Sequence, residues 1–160
     1  MGDVQLRPAT VADVPAILAV TKAAYALYID RLDPPSGVVR EQPEAVERYF
    51  VTGGVIVAEA DGEIVGAVRY EPCEDYLYLG RLAVAPAWQG RGIGRRLVEA
   101  VEEWALLLGL DEVHLGVRME LAENRGLYRH LGYVENGTAP FRHDERYHYL
   151  KMKKRVRGGE

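Results

Sequence analysis

The sequence has one cysteine, no long apolar run and no excess of basic residues. Cys73 is the only cysteine among 160 residues, so the chain has no internal disulfide and cannot form a cysteine zinc cluster. No apolar run reaches the roughly 20 residues that a membrane helix needs, and the segment Met1 to Leu6 lacks the pattern of a signal peptide. The net charge of −4 is unlike the basic balance of nucleic-acid-binding domains. We therefore expect a cytoplasmic protein without a metal, a membrane partner or a nucleic-acid partner.

The overall composition is that of a globular domain, with 48% apolar and 28% charged residues. The length suits a single domain with its own core. Because neither a repeat nor a linker interrupts the sequence, we predict one domain over residues 1–160. The basic tail, residues 154–160, is expected to fray.

Apolar spacing and turn residues predict helices that alternate with strands. The Asp61-Gly62 pair predicts a type I′ turn in a hairpin. A strand, a helix and a second strand follow one another over residues 76–117, and this crossover predicts that the two strands are parallel. The fold class is therefore α/β (α+β), with a mixed, mostly antiparallel sheet of about seven strands and about four helices. Strands are predicted at 4–7, 55–60, 63–70, 76–84, 113–117, 133–134 and 147–152, and helices at 11–28, 43–50, 92–108 and 124–131.

A glycine-rich segment, Gln89-Gly90-Arg91-Gly92-Ile93-Gly94, joins the strand ending in Leu82-Ala83-Val84 to the next helix. Glycine lets a ligand approach backbone N–H groups, and a helix start favours an anion, so this segment suits a diphosphate. Arg95 adds positive charge there. The spacing fits neither the dinucleotide fingerprint nor the Walker loop. Glycine spacing alone leaves a purely structural turn equally possible.

The wider context resembles the coenzyme A motif of the GNAT superfamily of N-acetyltransferases. The stretch from Leu82 to Leu97 matches that motif, and Asn124-x-x-Leu127-Tyr128-x-x-Leu131-Gly132-Tyr133 looks like the family's second signature. The order of the predicted elements is also similar to that of the family over residues 4–153. The resemblance implies a parallel strand pair that is splayed around the acyl-CoA, most simply acetyl-CoA, and it makes a homodimer possible.

The resemblance also implies how the cofactor lies. The backbone of Leu82 and Val84 would pair with the pantetheine arm, and backbone N–H groups from Gln89 to Arg95 would hold the diphosphate. Asn124 would contact the cofactor from the second motif. The backbone N–H of Leu82 or Ala83 is our candidate donor to the thioester oxygen as charge builds on it.

Tyr128 matches the family's usual general acid, which protonates the departing thiolate. The alternative is that Tyr128 only packs its ring against Leu127 and Leu131. Some family members carry a glutamate base on the strand that corresponds to residues 76–81, and this sequence has no carboxylate there. That departure leaves the general base open.

The candidate bases are Tyr78, acting through water, together with Glu71, Glu74, Asp75 and His143. Each of the last four could equally be a solvated surface residue. A chain of water molecules to bulk solvent could also suffice, because approximation alone can accelerate a reaction strongly.

The acceptor site is predicted from two places in the sequence. Arg81 either faces the cleft and binds a carboxylate of the acceptor or is an exposed strand residue. The resemblance implies that Tyr25, Tyr28 and Arg31 border the acceptor, although the same residues could simply pack on the sheet.

Three functions are consistent with these patterns. The first is an N-acetyltransferase that acts on the primary amine of a small molecule or an amino acid by direct attack in a ternary complex. The second is a protein N-terminal or lysine acetyltransferase. The third is a non-catalytic acyl-CoA sensor, which the missing strand glutamate supports.

Overall fold

The computed structural model describes residues 3–28, 31–32, 37–141 and 144–157. This part of the chain forms one sheet of seven strands with four α-helices packed on its two faces. The strands are β1 (Gln5–Pro8), β2 (Gly54–Ala60), β3 (Glu63–Pro72), β4 (Leu77–Val84), β5 (Glu112–Val117), β6 (Val134–Phe141) and β7 (Asp144–Arg155). The helices are α1 (Val14–Ala26), α2 (Pro43–Thr52), α3 (Ile93–Leu107) and α4 (Ala122–His130), with short 3-10 turns at Val11–Asp13, Gly37–Arg40 and Pro86–Trp88.

The sheet has the strand order β1-β2-β3-β4-β5-β7-β6, and only β4 and β5 are parallel. Their pairing runs from Leu77 opposite Val113 to Leu79 opposite Leu115. Because β4 continues to Val84 and β5 to Val117, the two strands separate beyond this short ladder. The predicted fold class, element order and splayed parallel pair are therefore confirmed.

Helices cover both faces of the sheet. One face packs against α3 through buried residues such as Leu97 and Val101. The other face packs against α1 and α2 through residues such as Ile17 and Val46. Because both faces are buried, β2 and β3 carry nearly continuous runs of buried residues instead of an alternating pattern.

The hairpin between β2 and β3 follows from its turn residues. Asp61 and Gly62 have φ angles of 53° and 78°, the left-handed backbone that a type I′ turn requires at both central positions. This turn sets the register of the central antiparallel pair.

The last two strands are longer than predicted, and the tail is more ordered. Arg155 is the last residue of β7 and lies opposite Glu112, while the Lys154 Nζ donates to Glu102 at 3.1 Å. The backbone N–H of Val156 donates to the Asp111 carbonyl at 2.8 Å. The prediction that the tail frays from Lys154 is therefore wrong for residues 154–156, because ladder and ion-pair contacts hold them; residues 158–160 lie outside the described part of the chain.

None of the helices that the structure describes is both long and apolar enough to span a bilayer.

Candidate active site

A cavity of about 680 Å³ opens where β4 and β5 separate. Its walls are formed by the end of β4, the start of α3, one side of α4 and the face of the sheet that α1 and α2 cover. Most of the residues predicted for the site line this cavity: Tyr25, Tyr28, Tyr78, Arg81, Leu82, Ala83, Val84, Gln89, Gly90, Gly92, Ile93, Gly94, Arg95, Asn124 and Tyr128. The fold thus gathers residues that lie up to a hundred positions apart in sequence into one site.

Apart from the candidate carboxylate bases, three predicted residues are not among these lining residues. Arg91 lies outside the cavity wall, with its guanidinium 5.0 Å from the centre of the Trp88 ring. Arg31 donates two hydrogen bonds of 2.9 Å to the Glu123 carboxylate, which join the segment after α1 to the start of α4. His143 falls outside the described residues.

The start of α3 has an open surface that suits an anion. Gly90 and Gly92 have φ angles of 79° and 82°, and a Cβ placed on either residue would meet no atom within 4 Å. Gly92 is the residue that caps α3, so the first N–H groups of the helix have no partner inside the helix. The Gln89 side chain donates to the Val84 carbonyl at 3.0 Å and ties the loop to β4. These backbone groups could hold a diphosphate at the mouth of the splayed strands.

A β-bulge bends β4 at the point where it leaves β5. Arg69 pairs with Gly80 and Ala67 pairs with Ala83, so Arg81 and Leu82 together face a single residue of β3. Arg81 has a left-handed φ of 49°, which is uncommon for a residue other than glycine. A bulge leaves its extra residue without a regular ladder partner, so a backbone N–H near Leu82 is available to a ligand in the cavity.

Three tyrosines meet inside the cavity. Tyr25 comes from α1, Tyr78 from β4 and Tyr128 from α4. Burial raises the pKa of all three hydroxyls, that of Tyr78 to about 12. At neutral pH each phenol is therefore protonated and able to donate a hydrogen bond. A base role for Tyr78 does not fit this raised pKa, because the phenol would first have to ionise.

The predicted carboxylate bases do not lie at the point where β4 and β5 separate. Glu71 is at the end of β3, and Glu74 and Asp75 are in the turn before β4. The cavity reaches β4 only from Tyr78 onward. None of the three lines the cavity as far as the structure describes it.

The cavity wall contains a buried ion cluster that was not predicted from the sequence. Both terminal nitrogens of Arg69 donate to the Glu41 carboxylate at 2.7 Å, and the Arg81 Nε lies 3.4 Å from the same carboxylate. The Arg69 and Glu41 side chains are only 2% and 7% exposed. Burial pushes the pKa of Glu41 up, but the hydrogen bonds from Arg69 and the charge of Arg81 outweigh burial and lower that pKa.

Comparison with known proteins agrees with the fold and with the family that the sequence resembles. The model of the GNAT acetyltransferase family matches residues 24–133. The chain is 29% identical to an aminoglycoside N(6')-acetyltransferase type 1 of Stenotrophomonas maltophilia, over 81% of this chain and 86% of that protein. It is 27% identical to the L-methionine sulfoximine/L-methionine sulfone acetyltransferase of Pseudomonas aeruginosa, over 84% and 83% of the two chains.

A solved structure shares the fold. The PaiA N-acetyltransferase of Thermoplasma acidophilum, crystallised with coenzyme A, superimposes with a TM-score of 0.82 at 16% identity, over 96% of this chain and 99% of the other. The family match covers more than half of the present chain and includes both the glycine-rich segment and Tyr128. This chain therefore belongs to the GNAT family and is an acetyltransferase.

Proposed function

We propose that this enzyme transfers the acetyl group of acetyl-CoA to the primary amine of a small molecule or an amino acid, by direct attack in a ternary complex. One observation carries the proposal. A single cavity joins the open helix start at Gly92 to the tyrosine cluster around Tyr128, through the gap between β4 and β5. Within the described part of the chain, this gap is where a donor held on the α3 side can meet an acceptor held on the α1 side.

The donor side fits acetyl-CoA. The backbone N–H groups from Gln89 to Arg95 would hold the diphosphate at the start of α3. Beyond Leu79 the edge of β4 no longer pairs with β5, so the backbone of Leu82 and Val84 can bond to the amide groups of the pantetheine arm. Asn124, from α4, would contact that arm from the opposite wall.

Two groups of the chain would assist the transfer. The amine nitrogen bonds to the acetyl carbon while the carbon–sulfur bond breaks, and the chain must stabilise the charge on oxygen and then on sulfur. The bulge N–H of Leu82 or Ala83 would donate to the oxygen. The Tyr128 hydroxyl would donate to the departing sulfur, which leaves as the coenzyme A thiol once it is protonated.

The proton lost by the amine would pass to water. A thiol has an ordinary pKa of about 8.5, below the raised pKa of the buried Tyr128, so Tyr128 would keep its proton while it donates a hydrogen bond to the thiolate, and water would supply the proton of the thiol. Among the described lining residues Glu41 is the only carboxylate, and its lowered pKa makes it a weak base. Approximation of the amine and the thioester would supply most of the acceleration.

A small acceptor is supported by the names of two relatives. One is named for aminoglycosides and another for methionine sulfoximine and methionine sulfone. Both names describe small molecules with amino groups.

Release of coenzyme A thiol tests the proposal. The enzyme is incubated with acetyl-CoA and a panel of amino acids, polyamines, aminoglycosides and short peptides. We expect thiol release that depends on one class of small amine. Release only with peptides would identify a protein acetyltransferase, and binding of acetyl-CoA without release for any amine would identify a sensor; either result contradicts the proposal.

A further inference from the structure

We propose that the acceptor carries a carboxylate beside its amine, as an amino acid does, and that Arg81 binds this carboxylate. The inference rests on the proposed function and names the substrate class of the same site. It follows from the charge balance in the cavity wall and from the way Arg81 is held.

The described residues of the cavity wall carry much more positive than negative charge. The acidic residue among them is Glu41, whereas the arginines are Arg48, Arg69, Arg81, Arg95 and Arg118. Arg95 belongs to the start of α3, where it suits the donor. Arg118 is paired with Glu120 at 3.0 Å, and the Arg48 guanidinium lies 5.8 Å from the centre of the Tyr49 ring. The acceptor side therefore depends on the cluster of Glu41, Arg69 and Arg81.

The Glu41 carboxylate forms its ion pair mainly with Arg69. Arg69 is buried and holds both carboxylate oxygens at 2.7 Å, the length of a strong charge-assisted hydrogen bond. Arg81 lies farther away, at 3.4 Å from one of these oxygens. The cluster of two arginines and one glutamate therefore leaves one positive charge, and Arg81 carries it at the cavity surface.

The Arg81 side chain is held in position before an acceptor binds. The left-handed backbone of Arg81 in the β4 bulge turns the side chain towards α1, where the guanidinium adjoins the Tyr25 hydroxyl. Its side chain is 35% exposed, and a terminal nitrogen lies 3.5 Å from where a Cβ on Gly37 would stand. A planar guanidinium held in this way matches a carboxylate geometrically, and a point charge on a flexible stem does not.

The same charge disfavours a cationic acceptor. A polyamine or an aminoglycoside would bring several positive charges next to Arg81, and like charges in a partly buried site repel strongly. The surrounding rings of Tyr25, Tyr49 and Tyr149 suit a compact acceptor with an apolar side chain. The arrangement therefore favours an amino acid over an aminoglycoside, the polycation for which one relative is named.

The test compares each common α-amino acid with its own amide, alongside a polyamine and an aminoglycoside, in the acetyl-CoA thiol-release reaction. Amidation removes the carboxylate but also lowers the pKa of the amine, which by itself favours the amide. A preference for the acid therefore reports recognition of the carboxylate. We expect kcat/KM for the best acid to exceed that for its amide roughly 10- to 100-fold, the value of one or two charge-assisted hydrogen bonds.

Variants of Arg81 locate the recognition. Arg81→Gln should bring the ratio of kcat/KM for the acid to kcat/KM for its amide close to one, and Arg81→Lys should keep part of the preference. Arg157→Gln is the control, because Arg157 is a surface residue paired with Asp111, and it should behave as the unmodified enzyme. The stabilisation of Arg81→Gln by acetyl-CoA should be unchanged, which shows that the variant is folded and that the donor side is intact.

Each other outcome has a definite meaning. Amides or polyamines that react as well as the acids, or a preference that survives in Arg81→Gln, would overturn the carboxylate site and leave acetyl transfer standing. A complete lack of thiol release with every amine, acids included, would overturn both the carboxylate site and the proposed function.

Discussion

Tyr128 combines a buried ring with a hydroxyl that faces the cavity wall shared with Tyr25 and Tyr78. Its ring packs edge-to-face against Tyr133, with the ring centres 5.9 Å apart. Burial, with the nearby Tyr25 and Tyr78 hydroxyls, raises its pKa. The proposed role is therefore that of a hydrogen-bond donor that stays protonated throughout the working pH range.

Replacing this hydroxyl should slow catalysis more than binding. Tyr128→Phe is expected to lower kcat about 100-fold, the usual scale for the loss of one hydrogen-bond donor to a developing charge, with little change in the Kd for acetyl-CoA. Steady-state kinetics and calorimetry measure the two quantities. Tyr133→Phe is the matched control, because the Tyr133 hydroxyl donates to Glu102 at 2.9 Å and lies outside the described cavity wall. Equal effects of the two changes on kcat would remove Tyr128 from this role.

Glu41 should matter for stability as well as for charge. Glu41→Gln leaves the buried Arg69 without a carboxylate, and breaking a buried ion pair costs about 3 kcal/mol. Glu123→Gln breaks another bidentate arginine–glutamate pair, with Arg31, but both of those side chains are about half exposed, so it should cost less than about 1 kcal/mol. Urea unfolding at pH 7 gives both free energies of unfolding. Similar losses in the two variants would mean that the cluster in the cavity wall is not a buried ion pair.

The contribution of Glu41 should also depend on pH with a definite sign. The folded-state pKa of Glu41 is lowered from its usual value of 4.5, so its stabilisation is present above that value and is lost as pH falls through the lower, folded-state pKa. The difference in free energy of unfolding between the original protein and Glu41→Gln should be constant from about pH 6 to 8 and should shrink below about pH 4. A difference that stays constant to pH 3 would show that the pKa is not lowered.

At the scale of elements, the site depends on two local irregularities. One is the bulge that places Arg81 and Leu82 opposite a single residue of β3. The other is the left-handed cap at Gly92, which frees the first N–H groups of α3. The bulge bends β4 away from β5, and the cap lines the opening with donors. Together they turn an ordinary strand–helix crossover into a gap that a long ligand can enter.

The cap can be tested with a matched pair of glycines. Gly92→Ala and Gly62→Ala both place a side chain on a left-handed backbone, with φ angles of 82° and 78°, and neither new Cβ meets an atom within 4 Å. Each should destabilise the fold by about 1 kcal/mol. Only Gly92→Ala should weaken acetyl-CoA binding, by roughly tenfold, because its methyl group stands where a ligand approaches the N–H groups. Calorimetric titration measures the affinity, and an equal loss in Gly62→Ala would assign the effect to strain alone.

The elements that the sequence predicted well are those fixed by local residues. The Asp61-Gly62 turn sets the β2–β3 hairpin, and the apolar stripe of α3 sets that helix. The predicted last strands were too short because Gly137 and Pro140 resemble breakers, although β6 is an edge strand, where such residues are tolerated. The bulge at Arg81 was not predictable because it depends on the register with β3.

The residues proposed to bind acetyl-CoA could be predicted from the sequence, and those proposed to bind the acceptor could be predicted only in part. The glycine-rich segment carries its own signature, whereas Glu41 lies in a segment without apolar periodicity and meets its partner 28 residues later. The available signal was Arg69, an arginine within a nearly continuous apolar strand. A buried arginine needs a buried carboxylate, but nothing in the sequence says which carboxylate it is.

At the scale of the whole molecule, the sheet lies between the two surfaces proposed to bind the donor and the acceptor. The α3 side presents the helix start, and the α1 and α2 side presents the arginine–glutamate cluster. Ligand at about a hundred times its Kd should stabilise the fold by about 2.7 kcal/mol. For a domain of this size we therefore expect acetyl-CoA to raise the melting temperature by about 5–10 °C. A larger shift with NAD or ATP would mean that the helix start binds a different nucleotide.

The most direct measurement follows the acetyl group itself. The enzyme is given acetyl-CoA labelled in its acetyl carbon together with the panel of amino acids, their amides and polyamines, and the products are identified by mass spectrometry. The account predicts the label in an amide bond on the amine of an amino acid, at a rate that Tyr128→Phe reduces about 100-fold. Label found only in free acetate, or left entirely in acetyl-CoA with every amine, would contradict it.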